Sequence, residues 1–240
     1  MLMKLANAVL FYTDHEVGEY RARLGRHDRR RVVGLNNGIN IDPIIPLRAP
    51  YEANKRDKAI MFVGRLTEKT ELEILLHSLA DPRLDDVKLN IIGDGQQRDS
   101  LEALARSLAI NDRITWHGGS TDEQTIARIA NNCQIFAYPG AVGLSLLHAM
   151  AYGLPAVVHN DRWGHMPEIA AFYKAKSGLT FSRGDPQSLT ITILKALRTV
   201  TQDQSWSEAA IRVSDRDFNT ARMAERFRDL VLYLKTQKRC

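Results

Sequence analysis

The sequence is short of cysteine, of long apolar runs and of nucleic-acid signatures, and each shortage narrows what it can be. Two cysteines in 240 residues, Cys133 and Cys240, cannot frame a disulfide scaffold. Cys133 stands in an apolar run and reads as a buried thiol, which suits a reducing cytosol. No apolar run is long enough to span a bilayer. The opening Met1–Phe11 combines a lysine with apolar residues. Asn7 interrupts that run, however, and no small-x-small cleavage pattern follows, so it reads as a strand rather than a signal peptide. The expected location is the cytoplasm. Aromatic residues do not interleave with the basic ones and no nucleic-acid motif is found, so no nucleic-acid partner is expected.

Charge is present but unevenly spread. The net charge is +5, and Arg21, Arg23, Arg26, Arg29, Arg30 and Arg31 crowd into eleven residues, while Lys235, Lys238 and Arg239 close the chain. Such clusters are either solvated helix ends or a peripheral contact with anionic headgroups on an inner membrane face.

An apolar fraction of 44% and a charged fraction of 25% are those of an ordinary globular protein. From Lys58 onward, β-type runs alternate with helical patterns. Strands are predicted at Ala59–Val63, Lys88–Ile92, Arg113–Trp116, Cys133–Ala137, Pro155–Val158 and Gly178–Phe181. Helices are predicted at Glu68–Ala80, Gln96–Ala109, Thr121–Ala130, Leu144–Tyr152 and Met166–Phe172, with Pro186–Val200 and Asp217–Lys235 closing the chain. Strands apolar on both faces belong in a parallel sheet covered on both sides. The fold class is therefore α/β, a doubly wound, Rossmann-like parallel sheet. Leu47–Lys58, with Pro50 and several charges, reads as an exposed connection. The first 45 residues offer only a strand (Leu5–Tyr12), a helix (Glu16–Leu24) and a second strand (Arg31–Leu35). These cannot bury a core of their own. They read as the remnant of a preceding domain, with residues 46–240 as the main one.

The run from Tyr138 to Pro155 is the most informative. Gly140 and Gly143 break a loop that opens directly onto a helix, which Gly153 stops and Pro155 follows. A helix entered through glycine leaves its first N–H groups uncovered. With the positive end of the helix dipole, they form an anion site suited to phosphate.

Four motifs then come in order, each at a predicted strand-to-helix turn or connection. They are Asn36-Asn37-Gly38-Ile39-Asn40, Val63-Gly64-Arg65-Leu66-Thr67-Glu68-Lys69, Ile92-Gly93-Asp94-Gly95, and the run from Gly143 through Pro155. Together they resemble the retaining, family 4 type of the GT-B-fold glycosyltransferases, over Ala6 to about Leu234, and cover the C-terminal half of such an enzyme. The resemblance implies a nucleotide diphosphate sugar as donor substrate and a glycan or lipid-linked acceptor. It implies no metal and no further cofactor. It makes Arg65 and Lys69 catalytic, gripping the diphosphate, with the Gly143, Leu144 and Ser145 amides completing the cradle. Gly64, Gly93 and Gly143, each following a predicted strand, would let backbone approach the donor, with Gly140 in the same donor-site loop; His148 would meet ribose hydroxyls and Glu168 sugar hydroxyls. Residues 1–45 would be the end of an acceptor domain plus the interdomain connection, with the missing domain or a partner subunit needed for activity.

The sequence also departs from that pattern. Two glutamates eight positions apart are usual there, one for the sugar and one for the ribose; here the positions hold Gly140 and His148. Gly164-His165 replaces a glycine pair ahead of Pro167-Glu168. Each candidate also has a plainer reading: a surface ion pair for Arg65, an i,i+4 pair with Glu73 for Lys69, core packing for His148, and a helix-start residue for Glu168. Asp215-Arg216-Asp217 is a literal DxD, but it lies away from the turns that build this site, so no metal is assigned to it. Two other functions fit the same architecture: a noncatalytic nucleotide-sugar-binding subunit, and a nucleotide-sugar epimerase, which would need acid–base residues around the sugar.

Overall fold

The computed structural model describes residues 6–23 and 30–237. Leu5, Arg26, Arg29, Lys238, Arg239 and Cys240 lie outside the described residues. Two separate parallel sheets form. In the smaller, β1 (Ala8–Phe11) and β2 (Arg31–Gly34) pair with Val9 opposite Val32, connected through α1 (Asp14–Arg23).

The larger sheet holds β3 (Ala59–Val63), β4 (Lys88–Ile92), β5 (Ile114–Gly118), β6 (Ile135–Tyr138), β7 (Ala156–His159) and β8 (Gly178–Phe181), in the order β5-β4-β3-β6-β7-β8. Every pairing in it is parallel. The crossovers are α2 (Leu72–Leu79), α3 (Arg98–Ser107), α4 (Glu123–Asn132), α5 (Leu144–Ala151) and α6 (Ile169–Ala175). After β8 come α7 (Pro186–Val200), α8 (Ser205–Asp217) and α9 (Thr220–Gln237). β6 and β7 are buried along their whole length, as Ile, Phe, Ala and Val residues require when helices cover both faces. α2 packs with α3 and α7, and α8 with α5 and α6. This is the doubly wound α/β architecture expected from the sequence. Its strand order reverses between β3 and β6, and a ligand crevice belongs at such a reversal, outside the carboxyl ends of the strands.

The structure corrects three expectations. The helix expected over Glu68–Ala80 is broken: a 3-10 turn at Glu68–Thr70 ends on Glu71 in a left-handed conformation (φ 49°), and α2 starts only at Leu72. Leu47–Lys58 is not an exposed connection, because Tyr51, Ala53 and Arg56 are buried in it. The Tyr51 hydroxyl donates to the Gln134 carbonyl (2.6 Å), and Arg56 donates to the carbonyls of Ala130 and Cys133, both at 3.0 Å. α8 was not foreseen, since its buried positions are mostly small or hydroxylated: Ser207, Ala209, Ala210, Val213 and Ser214. Asp217 accordingly ends α8 instead of opening the terminal helix. Cys133 is buried, and burial pushes its thiol up to about 12.

Residues 35–45, the connecting segment between β2 and the larger sheet, are held from several sides. Asn36, left-handed at φ 53°, accepts from the Asp14 amide and donates to the Asp14 carboxylate. Arg226 of α9 donates to both oxygens of that carboxylate, at 2.7 and 2.8 Å. Ile39 forms an isolated bridge with Asn219.

Candidate functional site

Two loops nest at the carboxyl ends of β3 and β4. The Leu66 amide donates to Asp94 O (2.9 Å) and the Gln97 amide to Leu66 O (3.2 Å). Gly93 sits so close behind Gly64 that a Cβ there would lie 1.9 Å from the Gly64 carbonyl oxygen. Glycine is thus required by approach of backbone to backbone.

The loop between β6 and α5 leans on the same wall. The Ala141 amide donates to Lys69 O (3.0 Å), and a Cβ on Gly140 would come within 2.2 Å of that oxygen. No acidic side chain fits at position 140 with this backbone, which gives the first departure a physical reason. α5 then opens at Gly143 with no side-chain cap. Its earliest internal bond within the turn is the Leu146 amide to Gly143 O, at 3.0 Å. Among the described residues, nothing accepts from the amides of Gly143, Leu144 or Ser145. Three donors therefore stand open at the positive end of a helix, at the sheet's reversal point.

Beside them lies a cleft of about 340 Å³, lined by Gly64, Leu144, Ser145 and His148 together with Glu123 and residues of the connecting segment. Arg65 and Lys69 do not line it. They are exposed on the adjoining loop, whose backbone is tied to Gly140 and Ala141. Neither side chain has a hydrogen-bond or ion-pair partner among the described residues, so both plainer readings, a surface ion pair for Arg65 and a Lys69–Glu73 pair, are absent there.

His148 is not simply packed in the core. Its Nε2 donates to Glu123 Oε1 (2.8 Å), and the same oxygen accepts from the Tyr152 hydroxyl (2.5 Å). Burial, with the Glu123 carboxylate, drives the Tyr152 phenol far above its usual range. The sequence reading missed Glu123. Its one signal was its place as the first residue of α4, the helix that crosses back to the strand-order reversal.

On the other flank of Gly143 stands Glu168, 4% exposed and at the start of α6 without capping it. Its Oε1 accepts from Asn37 Nδ2 of the connecting segment (2.6 Å), while its Oε2 has no partner among the described residues. A Cβ on Gly143 would lie 3.6 Å from that Oε2. Next to it, the rings of His159 and His165 stack with centroids 3.6 Å apart. His165 Nε2 donates to His159 O (2.9 Å), leaving Nδ1 to accept from the Val142 amide (3.4 Å). His159 is fully buried and neither ring nitrogen makes a hydrogen bond; the Gly140 backbone comes near without achieving the geometry of one.

The DxD residues lie elsewhere and are engaged. Arg48 holds the Asp215 carboxylate with two bonds (3.0 and 2.9 Å), and Lys174 pairs with Asp217 (2.8 Å).

Comparison with known proteins supplies a fold and a family. A glycogen synthase of Aromatoleum aromaticum is 25% identical over 239 residues, covering 85% of this chain and 48% of the relative. The chain spans less than half the length of the curated relatives it matches. A solved glycosyltransferase from Rickettsia africae superposes with a TM-score of 0.75 at 16% identity, over 98% of this chain and 64% of that one. An Anabaena protein, HepE, solved in complex with UDP and glucose, gives 0.67 at 17% identity, over 95% and 63%. These likenesses establish the fold as that of GT-B glycosyltransferases. The profile of one family, glycosyl transferases group 1, matches residues 44–213, well over half of the chain, and the protein belongs to that family.

Proposed function

We propose that this chain carries the donor-binding half of a retaining glycosyltransferase that takes a hexosyl group from a nucleotide diphosphate sugar. The observation that carries the reading is the uncapped start of α5, with three free amides at the strand-order reversal and two unpaired cations on the adjoining loop. In such a transfer the bond from the sugar's anomeric carbon to the diphosphate oxygen breaks, and negative charge grows on the departing oxygen. Amides already aimed at that position, with Arg65 and Lys69 closing over it, stabilise the charge without reorganising. Glu123 borders the cleft beside Ser145 and Glu168 borders Gly143, which suits a ligand that carries hydroxylated groups besides its phosphates. The Anabaena relative's complex with UDP and glucose supports the same ligand class.

In this reading residues 1–45 end an acceptor-binding domain and residues 46–240 hold the donor. The face formed by Leu10, Phe11, Tyr12, Leu35 and Met223 is apolar, with Leu10 and Tyr12 exposed, as expected of a sheet that another domain completes. That domain would lie in the same polypeptide or in a separate acceptor subunit, and this chain alone would transfer sugar weakly or not at all.

The test is a thermal-shift series with UDP-, GDP- and ADP-sugars. A ligand bound only by the folded state raises stability by about 2.7 kcal/mol at a hundredfold excess over its Kd. One nucleotide series should raise the melting temperature in proportion to the logarithm of its concentration. Arg65→Ala should weaken that shift by about tenfold in concentration, the scale of one charge-assisted contact. A flat response to all three series would refute the reading.

A further inference from the structure

Glu123 is not occupied with its own helix. Asp122 caps α4, accepting from the amides of Gln124 and Thr125 (3.4 and 3.1 Å). Two donors, His148 and Tyr152, meet on Oε1 of Glu123 and hold its carboxylate in one orientation. Its Oε2 has no partner among the described residues, and Glu123 lines the cleft together with His148 and Ser145. No lysine or arginine pairs with it there.

A carboxylate set beside an anion cradle repels phosphate. It is compatible with a bound diphosphate only where the neighbouring part of the ligand is neutral and donates hydrogen bonds. His148 sharpens that requirement. With Nε2 donating to Glu123, its Nδ1 is left as an acceptor. His148 follows Ser145 by three positions of α5, a rise of about 4.5 Å. Glu123 Oε2 and His148 Nδ1 are thus two acceptors on side chains that line one cleft with Ser145, and two neighbouring hydroxyls on one ring would satisfy them. Ile39, Ile44 and Val63 give the same cleft an apolar wall, which suits a flat base better than a hexose.

The geometry points to Glu123 as the specificity-determining residue for the donor's ribose, its Oε2 accepting from one of the 2′ and 3′ hydroxyls and His148 Nδ1 from the other, with Tyr152 as the positioning residue. The role absent from α5 is thereby supplied from α4. This inference rests on the donor reading above and adds to it the residue that reads the nucleoside.

The test is calorimetric titration with UDP, ADP and GDP and with the 2′,3′-dideoxy form of each, on wild type, Glu123→Gln and Tyr152→Phe. Wild type should bind the preferred ribonucleotide at least about tenfold more tightly than its dideoxy form, the scale of a hydrogen bond to a charged group. In Glu123→Gln that ratio should fall toward one through lost affinity for the ribonucleotide, with the dideoxy affinity unchanged. Tyr152→Phe should lower the ratio part of the way, and it carries the test if Glu123→Gln melts too low to titrate. Equal weakening of both forms would mark Glu123 as merely structural. A preference that survives both substitutions would overturn the assignment while leaving the donor reading intact. A wild type indifferent to the ribose, whose added affinity for UDP-hexose depends on Glu123, would move the contact to the transferred sugar and overturn the ribose assignment. If no nucleoside diphosphate binds, both readings fall together.

Discussion

His159 shows how a single side chain can set the pH response of this fold. Its imidazole is held down to about 4, first by burial and then by the neighbouring His165 and Arg183. In the unfolded chain the same ring titrates near 6.5. Between these values the unfolded state binds a proton that the folded state refuses, so stability declines as pH falls from about 6.5 toward 4. Above that window His159 is neutral in both states and has no effect on the slope. His165, also depressed chiefly by burial, acts in the same direction. Urea unfolding at intervals from pH 7.5 to 4.5 should show this decline. His159→Phe, which keeps a flat ring against His165, should flatten part of it. Coincident slopes for the two proteins would show that the acid sensitivity arises elsewhere.

At the scale of an element, α5 makes its contribution through backbone. Proline is tolerated at the first position of a helix, where its missing N–H would have no helical partner. Leu144 occupies that position and its side chain is half exposed, so little packing depends on it. Leu144→Pro should therefore leave the melting temperature within a few degrees of wild type while removing one donor from the cradle. Affinity for a nucleoside diphosphate should fall about tenfold, the scale of a hydrogen bond to a charged partner. Unchanged affinity in the folded variant would remove the amides from the binding account.

Elements of this kind were largely legible in the sequence, for a physical reason. β3, β4, β8 and α7 fall at their expected bounds: β3 is a continuous apolar run, Leu89, Ile91 and Ile92 mark β4, Leu179 and Phe181 mark β8, and Asp185-Pro186 opens α7. What escaped was set by tertiary contact. The left-handed Glu71, which splits the expected helix, is paired with Arg183 from the far end of the sheet (2.7 Å). α8 buries serines and alanines, which carry little apolar signal. Glu123 meets His148 only because two crossovers, 25 residues apart in sequence, return to one edge. The backbone part of the site could be read from glycines, whereas its side-chain pairings depend on long-range neighbours.

At the scale of the whole molecule, the connecting segment and the candidate site share a hydrogen bond. Asn37 donates to Glu168 at 2.6 Å, across 131 positions of sequence, and Glu168 borders Gly143 at the mouth of the cradle. The seating of the β1–α1–β2 unit is thus coupled to the site through one buried hydrogen bond. Asn37→Asp tests that coupling with almost no change of shape. It replaces a donor with a second carboxylate, so the bond is lost and two like charges face each other with Glu168 almost fully buried. Both effects lower stability at neutral pH, by about 3 kcal/mol or more, the scale of a broken buried charged contact. On acidification the pair comes to share one proton, which restores a hydrogen bond and relieves the repulsion. The deficit relative to wild type should therefore shrink between pH 7.5 and pH 5, against the wild type's own decline over the same range. A deficit that stays constant with pH would mean that the two carboxylates do not meet, and that the segment is held by its other bonds, among them those of Asn36 to Asp14, of Asn37 N to Tyr12 O and of Thr220 N to Ile39 O.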